Sequence, residues 1–458
     1  MITRIEVSGF KTLENFALDF RPGLNILVGP NGSGKTNLVS FFEFLTNLVE
    51  VEASEATSRV GGAGAVFRRR GKDYERMIHV RLVGCTQYPP EHRRRQREKA
   101  ESEPSFLLYE YGFELTFPET RDAVLFSKQS LKAAEVSDFV SNENHANWQL
   151  DIESGLDAEG STKATVKRIR DSFMDMPMGN TEKRSGKDDV RRLEGYLTAL
   201  LSDNVSLISV IPRFSFSLWI IAQDLSSGRV YNIIPSRIKL PEDSAKPARI
   251  DRDGSGLAST LYAIQRSRYL EDAGPWSIYA RVRTRPALGP SALDQLRAYL
   301  QVVNSSIEDF YVWNDPFDNQ LRVSFKVRSG QYVADMPLAL MSDGTLKWVA
   351  LVTAALVTRS VFSIEEPENY LHPLMQAKLV GILREILFRD DQYRMTLMTT
   401  HSETLLNECT PEELVILGLE DGRTKAIRCT NAEEVRQEIQ RTGFGLGYYY
   451  VTNALQEL

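Results

Sequence analysis

The sequence predicts an α/β protein with a largely parallel central sheet. Short apolar runs typical of buried strands alternate with helical stretches near both ends of the 458-residue chain. A glycine-rich loop at residues 29–36 follows one of these strands and precedes an amphipathic stretch. We therefore expect a nucleotide-binding core that is split between the two ends of the chain, with an insertion between them.

The predicted elements follow from apolar periodicity along the chain. Strands are expected at residues 2–7, 16–20, 24–28, 77–83, 106–117, 205–212, 216–221, 311–327, 360–364 and 394–399. Helices are expected at residues 36–51, 189–201, 254–303, within 337–359 and at 373–387. Residues 127–202 are polar and uneven, with a loop at 179–187. An arginine-rich segment at 89–104 is either a solvated loop or a basic patch.

Three regions follow from this pattern. Residues 1–60 form the first part of the core, residues 61–330 form antiparallel strands plus an inserted helical or regulatory region, and residues 331–458 complete the core. The inserted region, from about residue 60 to 330, is expected to carry binding specificity.

Composition narrows the class of protein. Hydrophobic residues make up 42% and charged residues 25%, and the net charge is −6 with a pI near 5.7, so no global attraction to nucleic acid or anionic membrane is expected. Cys85, Cys409 and Cys429 are too few and scattered for a disulfide framework or a zinc site. No signal-peptide pattern and no membrane-length apolar run is visible, so we expect a cytoplasmic protein that does not bind membranes.

The loop at residues 29–36 reads GPNGSGKT, a complete phosphate-binding pattern. Its glycines let the backbone approach a polyphosphate, and successive N–H groups point at the anion. Lys35 is placed to reach the β- and γ-phosphates, and the Thr36 hydroxyl to ligate Mg²⁺. The alternative, a turn that binds nothing, does not explain the flanking strand and helix. The candidate nucleotide-binding residues are Gly29, Pro30, Asn31, Gly32, Ser33, Gly34, Lys35 and Thr36.

Two adjacent carboxylates follow a buried strand at residues 361–364. Strand ends of this kind are where open α/β sheets bind ligands. Hydrolysis of a triphosphate needs one acidic group near the metal and one for the attacking water. We assign Glu365 to the metal and Glu366 to the water; the alternative is a charged surface turn.

A histidine ends the next strand. His401 is placed to contact the γ-phosphate or the attacking water, although a histidine in this position also serves as a structural hydrogen-bonding residue. His372 is a second candidate, or else a residue that starts a helix.

With GPNGSGKTN, MSDGT, SIEEPENYLHP and TTHS in this order, the chain resembles the ABC-type ATPases of the RecF and SMC group. It resembles more narrowly the bacterial AAA-family ATPases related to the overcoming-lysogenization-defect proteins. The resemblance implies an ABC-type head, ATP and Mg²⁺ as cofactors, and a homodimer or higher oligomer with ATP between the heads. It adds Asn37 to the nucleotide site and identifies Ser342, Asp343, Gly344 and Thr345 with the signature loop, which binds the γ-phosphate held by a second subunit.

The chain departs from the general ABC pattern at three points. Glu365 stands where many ABC ATPases carry Asp, and Asp343 replaces the first signature glycine, both as in the narrower group. No Mg²⁺-sensing glutamine is evident, and Gln87 and Gln129 are weak candidates.

The resemblance also implies a biological role. We expect an ATPase that senses a signal and regulates a separate effector, a nuclease or toxin, in bacterial anti-phage defence; residues 402–458 are expected to complete the fold and not to add a nuclease. The alternative is a DNA-clamping ATPase of repair or chromosome maintenance, with a basic strip of Arg68, Arg69, Arg70 and the arginines at 93–97. A transporter subunit matches the motifs least well.

Overall fold

A computed structural model describes residues 1–88, 106–119, 122–140, 147–157, 160–173, 186–226, 228–267, 292–358, 361–388, 393–429 and 431–452. The strands are β1 (Ile2–Ser8), β2 (Phe16–Asp19), β3 (Gly23–Val28), β4 (Arg69–Arg70), β5 (Asp73–Tyr74), β6 (Met77–Gln87), β7 (Phe106–Thr116), β8 (Leu125–Val136), β9 (Leu150–Leu156), β10 (Thr162–Arg168), β11 (Arg229–Tyr231), β12 (Glu242–Asp243), β13 (Ile307–Asp315), β14 (Gln320–Ser329), β15 (Tyr332–Pro337), β16 (Val361–Glu365), β17 (Met395–Thr399), β18 (Leu414–Glu420) and β19 (Arg423–Arg428).

The α-helices are α1 (Lys35–Glu50), α2 (Ala53–Arg59), α3 (Ala63–Val66), α4 (Gly186–Leu200), α5 (Leu207–Val210), α6 (Phe216–Leu225), α7 (Pro235–Ile238), α8 (Leu257–Ser267), α9 (Ala292–Val303), α10 (Asp343–Val357), α11 (Pro373–Leu387), α12 (Glu403–Asn407), α13 (Ala432–Thr442) and α14 (Leu446–Val451). Short 3-10 turns lie at Asp171–Phe173, Ile211–Arg213, Leu338–Leu340 and Pro411–Glu413.

The core sheet has the strand order β11-β16-β17-β3-β18-β19. Every neighbouring pair from β11 to β18 is parallel, and β19 closes the edge as an antiparallel hairpin with β18. The predicted α/β class is therefore confirmed. Strands from both ends of the chain lie side by side in this sheet, and β11 adds an edge strand from the middle region, while the three-region division stays a prediction.

A second sheet is antiparallel throughout, in the order β10-β9-β8-β7-β6-β1-β2. Helix α1 contributes to the hydrophobic core that this sheet shares with part of the parallel sheet, since Phe41 packs on Phe10 and Phe42 on Phe20, with ring centroids 5.5 and 5.6 Å apart. A second core contains the buried residues of α10 and α11. The phosphate-binding loop is thus anchored at both ends by buried elements.

Two of the strand predictions are wrong. Residues 205–212 and 216–221 fold as α5, a 3-10 turn and α6. Ser206 and Ser215 begin the two helices, and each side chain accepts a backbone N–H, from Ile208 and from Leu218. These segments are buried on nearly every side, so their apolar residues show no period that separates helix from strand.

Other differences concern the middle region. Residues 127–202, which were expected to be polar and uneven, contain most of β8 and all of β9 and β10. In these strands, buried positions alternate with exposed or partly exposed ones. The helix expected at residues 189–201 is confirmed as α4. The helical stretch expected at 254–303 contains α8 and α9, while residues 268–291, the arginine-rich segment at 89–104 and most of the loop at 179–187 lie outside the described residues.

Candidate nucleotide-binding site

Three neighbouring strands end at the same edge of the core sheet. Glu365 of β16 pairs in register with Thr399 of β17, and Thr399 pairs with Leu27 of β3. The loop at 29–36, the turn that begins at Glu366, and His401 all follow directly. The sheet therefore brings together the three segments that the sequence assigned to one site, at the edge where α/β proteins bind ligands.

The phosphate-binding loop needs glycine at positions that pack closely on other strands. Gly29 and Gly34 have φ values of 151° and 100°. A Cβ on Gly29 would lie 2.1 Å from the Leu417 carbonyl oxygen, and one on Gly34 would lie 2.0 Å from Thr424 Oγ1. Strands β18 and β19 thus support the loop from behind, a role for the C-terminal tail that periodicity did not reveal.

Lys35 is nearly buried, with 9% of its surface exposed. Its Nζ donates to the carbonyl oxygens of Gly29 and Pro30, at 2.7 and 3.0 Å. Burial lowers the pKa of Lys35, and the nearby Glu366 carboxylate opposes that shift. The ammonium of the phosphate-binding loop and the carboxylate that follows β16 therefore act on each other, as expected for parts of one site.

The rest of the loop divides into exposed and supporting groups. Asn31, Gly32 and Thr36 are exposed, and the buried Ser33 hydroxyl has no hydrogen-bond partner among the described residues. The Asn37 side chain instead donates to Thr12 Oγ1 at 2.7 Å. Asn37 thus ties α1 to the β1–β2 connection.

Glu365 is 7% exposed and forms an ion pair that sequence reasoning missed. Its Oε2 accepts from Nη2 of Arg252 at 2.6 Å, and Nη1 of the same guanidinium donates to Glu43 Oε2 at 2.8 Å. The only sequence signal near Arg252 was the glycine-containing segment at residues 253–257, to which no role was assigned.

Glu366, unlike Glu365, is exposed. Its φ of 43° is unusual for a non-glycine residue and is held by hydrogen bonds on both sides. The Glu366 N–H donates to the Thr399 carbonyl at 3.1 Å, and its own carbonyl accepts from Lys347 Nζ at 3.1 Å. Asn369 Nδ2 donates to Glu366 Oε2 at 3.0 Å. The two adjacent carboxylates therefore differ in burial and in their hydrogen-bond partners.

His401 is linked to both other segments of the site. Its backbone N–H donates to Glu368 Oε1 at 2.8 Å, and its Nδ1 lies 3.3 Å from the Tyr450 hydroxyl. The Tyr450 hydroxyl also donates to the Gly29 carbonyl at 3.1 Å. Tyr450, on α14, was not singled out from the sequence, although the glycine-rich text at 443–447 precedes it.

The signature-like residues lie at the start of α10. The Ser342 side chain caps this helix by accepting the Thr345 N–H at 3.3 Å, and Asp343 pairs with Lys239 at 2.7 Å. Gly344 packs against the Tyr370 carbonyl, which a Cβ would approach to 2.8 Å. Within the described part of the chain, no hydrogen bond joins residues 342–345 to the phosphate-binding loop of the same copy.

The remaining residues that the sequence offered as candidates for the site lie at positions where they support the fold. His372 begins α11, with Nδ1 accepting the Leu374 N–H, in agreement with the helix-start alternative. Gln129 is buried in the antiparallel sheet. Its Oε1 accepts hydrogen bonds from the Tyr111 hydroxyl and the Leu207 N–H, and its Nε2 donates to the Val205 carbonyl. Gln87 ends β6 in the same sheet.

The donor set fits Mg²⁺ bound together with phosphate. No group of three or more His, Cys, Asp or Glu among the described residues is placed to hold a metal by itself. Mg²⁺ in nucleotide sites uses one or two protein oxygens plus substrate phosphates. The exposed Thr36 hydroxyl and the second oxygen of Glu365, which makes no hydrogen bond to a described residue, are donors of that kind.

The expected basic strip is partly wrong. Arg68 is 8% exposed and pairs with Glu14 at 3.3 Å, so it is not available to a phosphate backbone. Arg69 and Arg70 are exposed on β4, and Arg70 pairs with Glu75 at 3.0 Å. The arginines at 93–97 lie outside the described residues.

The fold and the site define a P-loop ATPase domain. The chain belongs to the family described as "AAA domain, putative AbiEii toxin, Type IV TA system", which matches residues 122–407, more than half of the chain. A second family, described as "AAA ATPase domain", matches residues 1–154. Family membership confirms the predicted class of ATPase.

Curated relatives match over shorter stretches. The RecF DNA replication and repair protein of Psychromonas ingrahamii is 41% identical over 111 residues, 19% of this chain and 31% of that protein. RecF of Bifidobacterium longum subsp. infantis is 33% identical over 89 residues, 18% of this chain and 22% of that protein. The chain thus spans less than a third of the length of these relatives, and the RecF-like resemblance is confirmed only over those stretches.

Solved structures with low similarity include an Smc head bound to the C-winged helix domain of ScpA, at 13% identity, a TM-score of 0.46 and coverage of 94% of this chain and 99% of that one. The SMC head domain of Thermotoga maritima has 10% identity and a TM-score of 0.36, with coverage of 93% and 98%. Within the described residues, no helix is both long enough and apolar enough to cross a membrane.

Proposed function

We propose that the chain binds Mg·ATP at residues 29–37 and hydrolyses it. The observation that carries this proposal is that the loop of Lys35 and the turn of Glu366 follow parallel strands that end at the same edge of the core sheet. Lys35 would hold the terminal phosphates, and the exposed Glu366 carboxylate would orient or deprotonate the attacking water. His401, tied to Glu368 and Tyr450, would contact the γ-phosphate or that water.

Thr36 and Glu365 are the residues we propose for the metal. Bound Mg²⁺ supplies positive charge that neutralises the phosphate oxygens. Glu365 is buried at the end of β16, and only its Oε2 makes a hydrogen bond to a described residue, so its other oxygen is a candidate metal donor.

The proposed active unit is a homodimer or higher oligomer with ATP between two copies. Ser342 and Asp343 are exposed at the N-terminus of α10, a favourable place for phosphate, and make no hydrogen bond to their own phosphate-binding loop. The resemblance to ABC-type heads supports a contact with the γ-phosphate held by a second copy. Lys347 joins this helix to the turn of Glu366 within one copy.

The first experiment compares Glu366→Gln with the parent protein. Phosphate release should fall at least about a hundredfold because general-base catalysis is lost. ATP affinity should be kept, and an ATP-dependent dimer should persist in light scattering. Lys35→Ala should remove nucleotide binding and serves as the control. Unchanged hydrolysis by Glu366→Gln would contradict the assignment of the water-activating group.

The wider role is proposed as regulation of a separate nuclease or toxin in bacterial anti-phage defence, in the cytoplasm. The family description, which names a putative toxin of a type IV toxin–antitoxin system, supports a link to such systems, while the separate effector follows from the resemblance given by the sequence motifs. Co-expression with the product of the adjacent gene tests it. We expect an ATP-dependent complex, or a growth arrest that Lys35→Ala relieves. A complex or growth arrest that Lys35→Ala leaves unchanged would contradict the proposed regulation.

DNA clamping is the alternative, and the RecF matches favour it. Anisotropy of a labelled DNA duplex, with and without ATP and across a salt series, separates the two proposals. Binding that strengthens with ATP and weakens steeply with salt would support the clamp. The absence of ATP-dependent binding at low salt would leave effector regulation as the better proposal.

A further inference from the structure

Arg252 bridges two carboxylates on separate elements of the site. Its guanidinium donates 2.6 Å to Glu365 Oε2 on β16 and 2.8 Å to Glu43 Oε2 on α1. The Arg252 side chain is 45% exposed, whereas that of Glu365 is 9% exposed. The buried carboxylate proposed for the metal is therefore already engaged by a protein cation that has access to solvent.

The loop that carries Arg252 is built to hold it there. The Arg252 and Asp253 carbonyls accept the N–H groups of Asn232 and Ile234, directly after β11. Gly254 and Gly256 have φ values of 93° and 84°, and a Cβ on Gly256 would lie 1.9 Å from the Arg249 carbonyl. These contacts fix the backbone, so the guanidinium is presented from a loop beside the segment that follows β11, the edge strand next to β16.

Charge around Glu365 is balanced without any bound ion. Burial lowers the pKa of Lys11, and the Glu43 and Glu365 carboxylates oppose that shift while Arg252 adds to it. Two cations thus face two anions in this cluster. A divalent cation arriving at Glu365 would meet repulsion from the nearby guanidinium, unless Arg252 moved away.

We propose that Arg252 guards the metal position: it holds Glu365 in the nucleotide-free protein and releases it to Mg²⁺ when Mg·ATP binds. Glu43 is the second acceptor on which the guanidinium stays after release. Arg252 is then a positioning residue that raises the Mg²⁺ concentration needed for tight nucleotide binding. The inference rests on the proposed Mg·ATP site.

The test titrates Mg²⁺ at a fixed concentration of mant-ADP, a fluorescent nucleotide, starting from EDTA. Arg252→Gln should lower the Mg²⁺ midpoint about fivefold, which is the effect expected from losing one half-exposed hydrogen bond between charged groups. Arg249→Gln is the matched control, because Arg249 lies in the same loop and pairs with Glu50 and Asp251 instead. This control should leave the midpoint unchanged.

Two further variants test the direction of the shift in the Mg²⁺ midpoint and whether it acts through Glu365. Glu43→Gln removes the alternative acceptor and should raise the Mg²⁺ midpoint. In a Glu365→Gln background, Arg252→Gln should no longer shift the midpoint, because the guarded carboxylate is gone. If Arg252→Gln does not fold, Arg252→Lys is used; a lysine ammonium holds two carboxylates less well and should lower the midpoint by less.

The outcomes separate this inference from the proposed function. Failure of the parent protein to bind mant-ADP at any Mg²⁺ concentration would overturn the nucleotide site itself. Binding with an Mg²⁺ midpoint that Arg252→Gln raises or leaves unchanged would overturn the guard alone. A lowered midpoint that persists in Glu365→Gln would also overturn it, since the effect would not act through Glu365.

Discussion

Lys347 is a buried cation whose removal should stabilise the fold. It is 1% exposed on α10, and its Nζ donates to the Glu366 carbonyl at 3.1 Å. Burial lowers the pKa of Lys347 from 10.5 to about 8, although the Glu368 and Glu366 carboxylates oppose the shift. The folded protein therefore keeps a charge at neutral pH that its surroundings disfavour.

The size and sign of the effect follow from that pKa. The difference from 10.5 corresponds to about 3 kcal/mol of destabilisation, at roughly 1.4 kcal/mol per pH unit. It is fully present below the folded pKa of about 8, where the ammonium is charged in both states. Between about 8 and 10.5 the unfolded chain binds more protons than the folded one, so the free energy of unfolding rises with pH and this destabilisation disappears.

Lys347→Met keeps the volume and removes the charge. Loss of the hydrogen bond to the Glu366 carbonyl costs about 1 kcal/mol, so the net gain in the free energy of unfolding at pH 7 is about 2 kcal/mol. The gain should shrink between pH 8 and 10. Because the turn of Glu366 loses its anchor, ATP turnover should fall in the same variant.

Urea denaturation at pH 7, 8, 9 and 10 measures this gain, with the fluorescence of the adjacent buried Trp348 as the signal. Lys425→Met, at an exposed position on β19, is the control and should show no trend. A Lys347→Met protein that is less stable than the parent by the same amount at every pH would refute the argument, because lost contacts would then outweigh the buried charge.

Three further predictions concern the phosphate-binding loop, the tyrosine that contacts it and the cap of helix α6. Gly34→Ala should destabilise the fold by about 2 kcal/mol and abolish nucleotide binding, because the new Cβ would lie 2.0 Å from Thr424 Oγ1; Gly71→Ala, also at positive φ but with open space, should keep binding in the same fluorescence assay. Tyr450→Phe should lower kcat several-fold with little change in KM, since its hydroxyl joins the loop to the histidine; an unchanged kcat would contradict this link. Ser215→Ala should lower the free energy of unfolding by about 1 kcal/mol through loss of the α6 cap, and a value near zero in urea denaturation would contradict it.

Local sequence was sufficient for the parts of the site that lie on single strand–loop units. The loop at 29–36 and the strands before Glu365 and His401 were predicted because strand, turn and helix signals lie next to one another in the chain. Their meeting at one sheet edge followed from the parallel α/β class. Helix α11 was predicted at its observed bounds, and Pro373 at its first position favours a helix start there.

The missed features depend on contacts between distant segments. Arg252 meets Glu365 113 positions away, and Tyr450 meets Gly29 421 positions away. No periodicity reports such pairs. The position of β18 beside β3 is equally non-local, since the order of strands in a sheet cannot be read from the sequences of the individual strands.

The most direct test of the central claim, an ATP site shared between two copies, mixes two inactive variants. Lys35→Ala removes the phosphate-binding lysine, and Ser342→Arg blocks the signature-like loop. In a mixed dimer one site keeps both intact parts, so equal mixing should restore about one quarter of the parent ATPase rate if the two sites act independently. Activity that stays at the level of the separate variants, in mixtures shown to form dimers, would contradict the shared site.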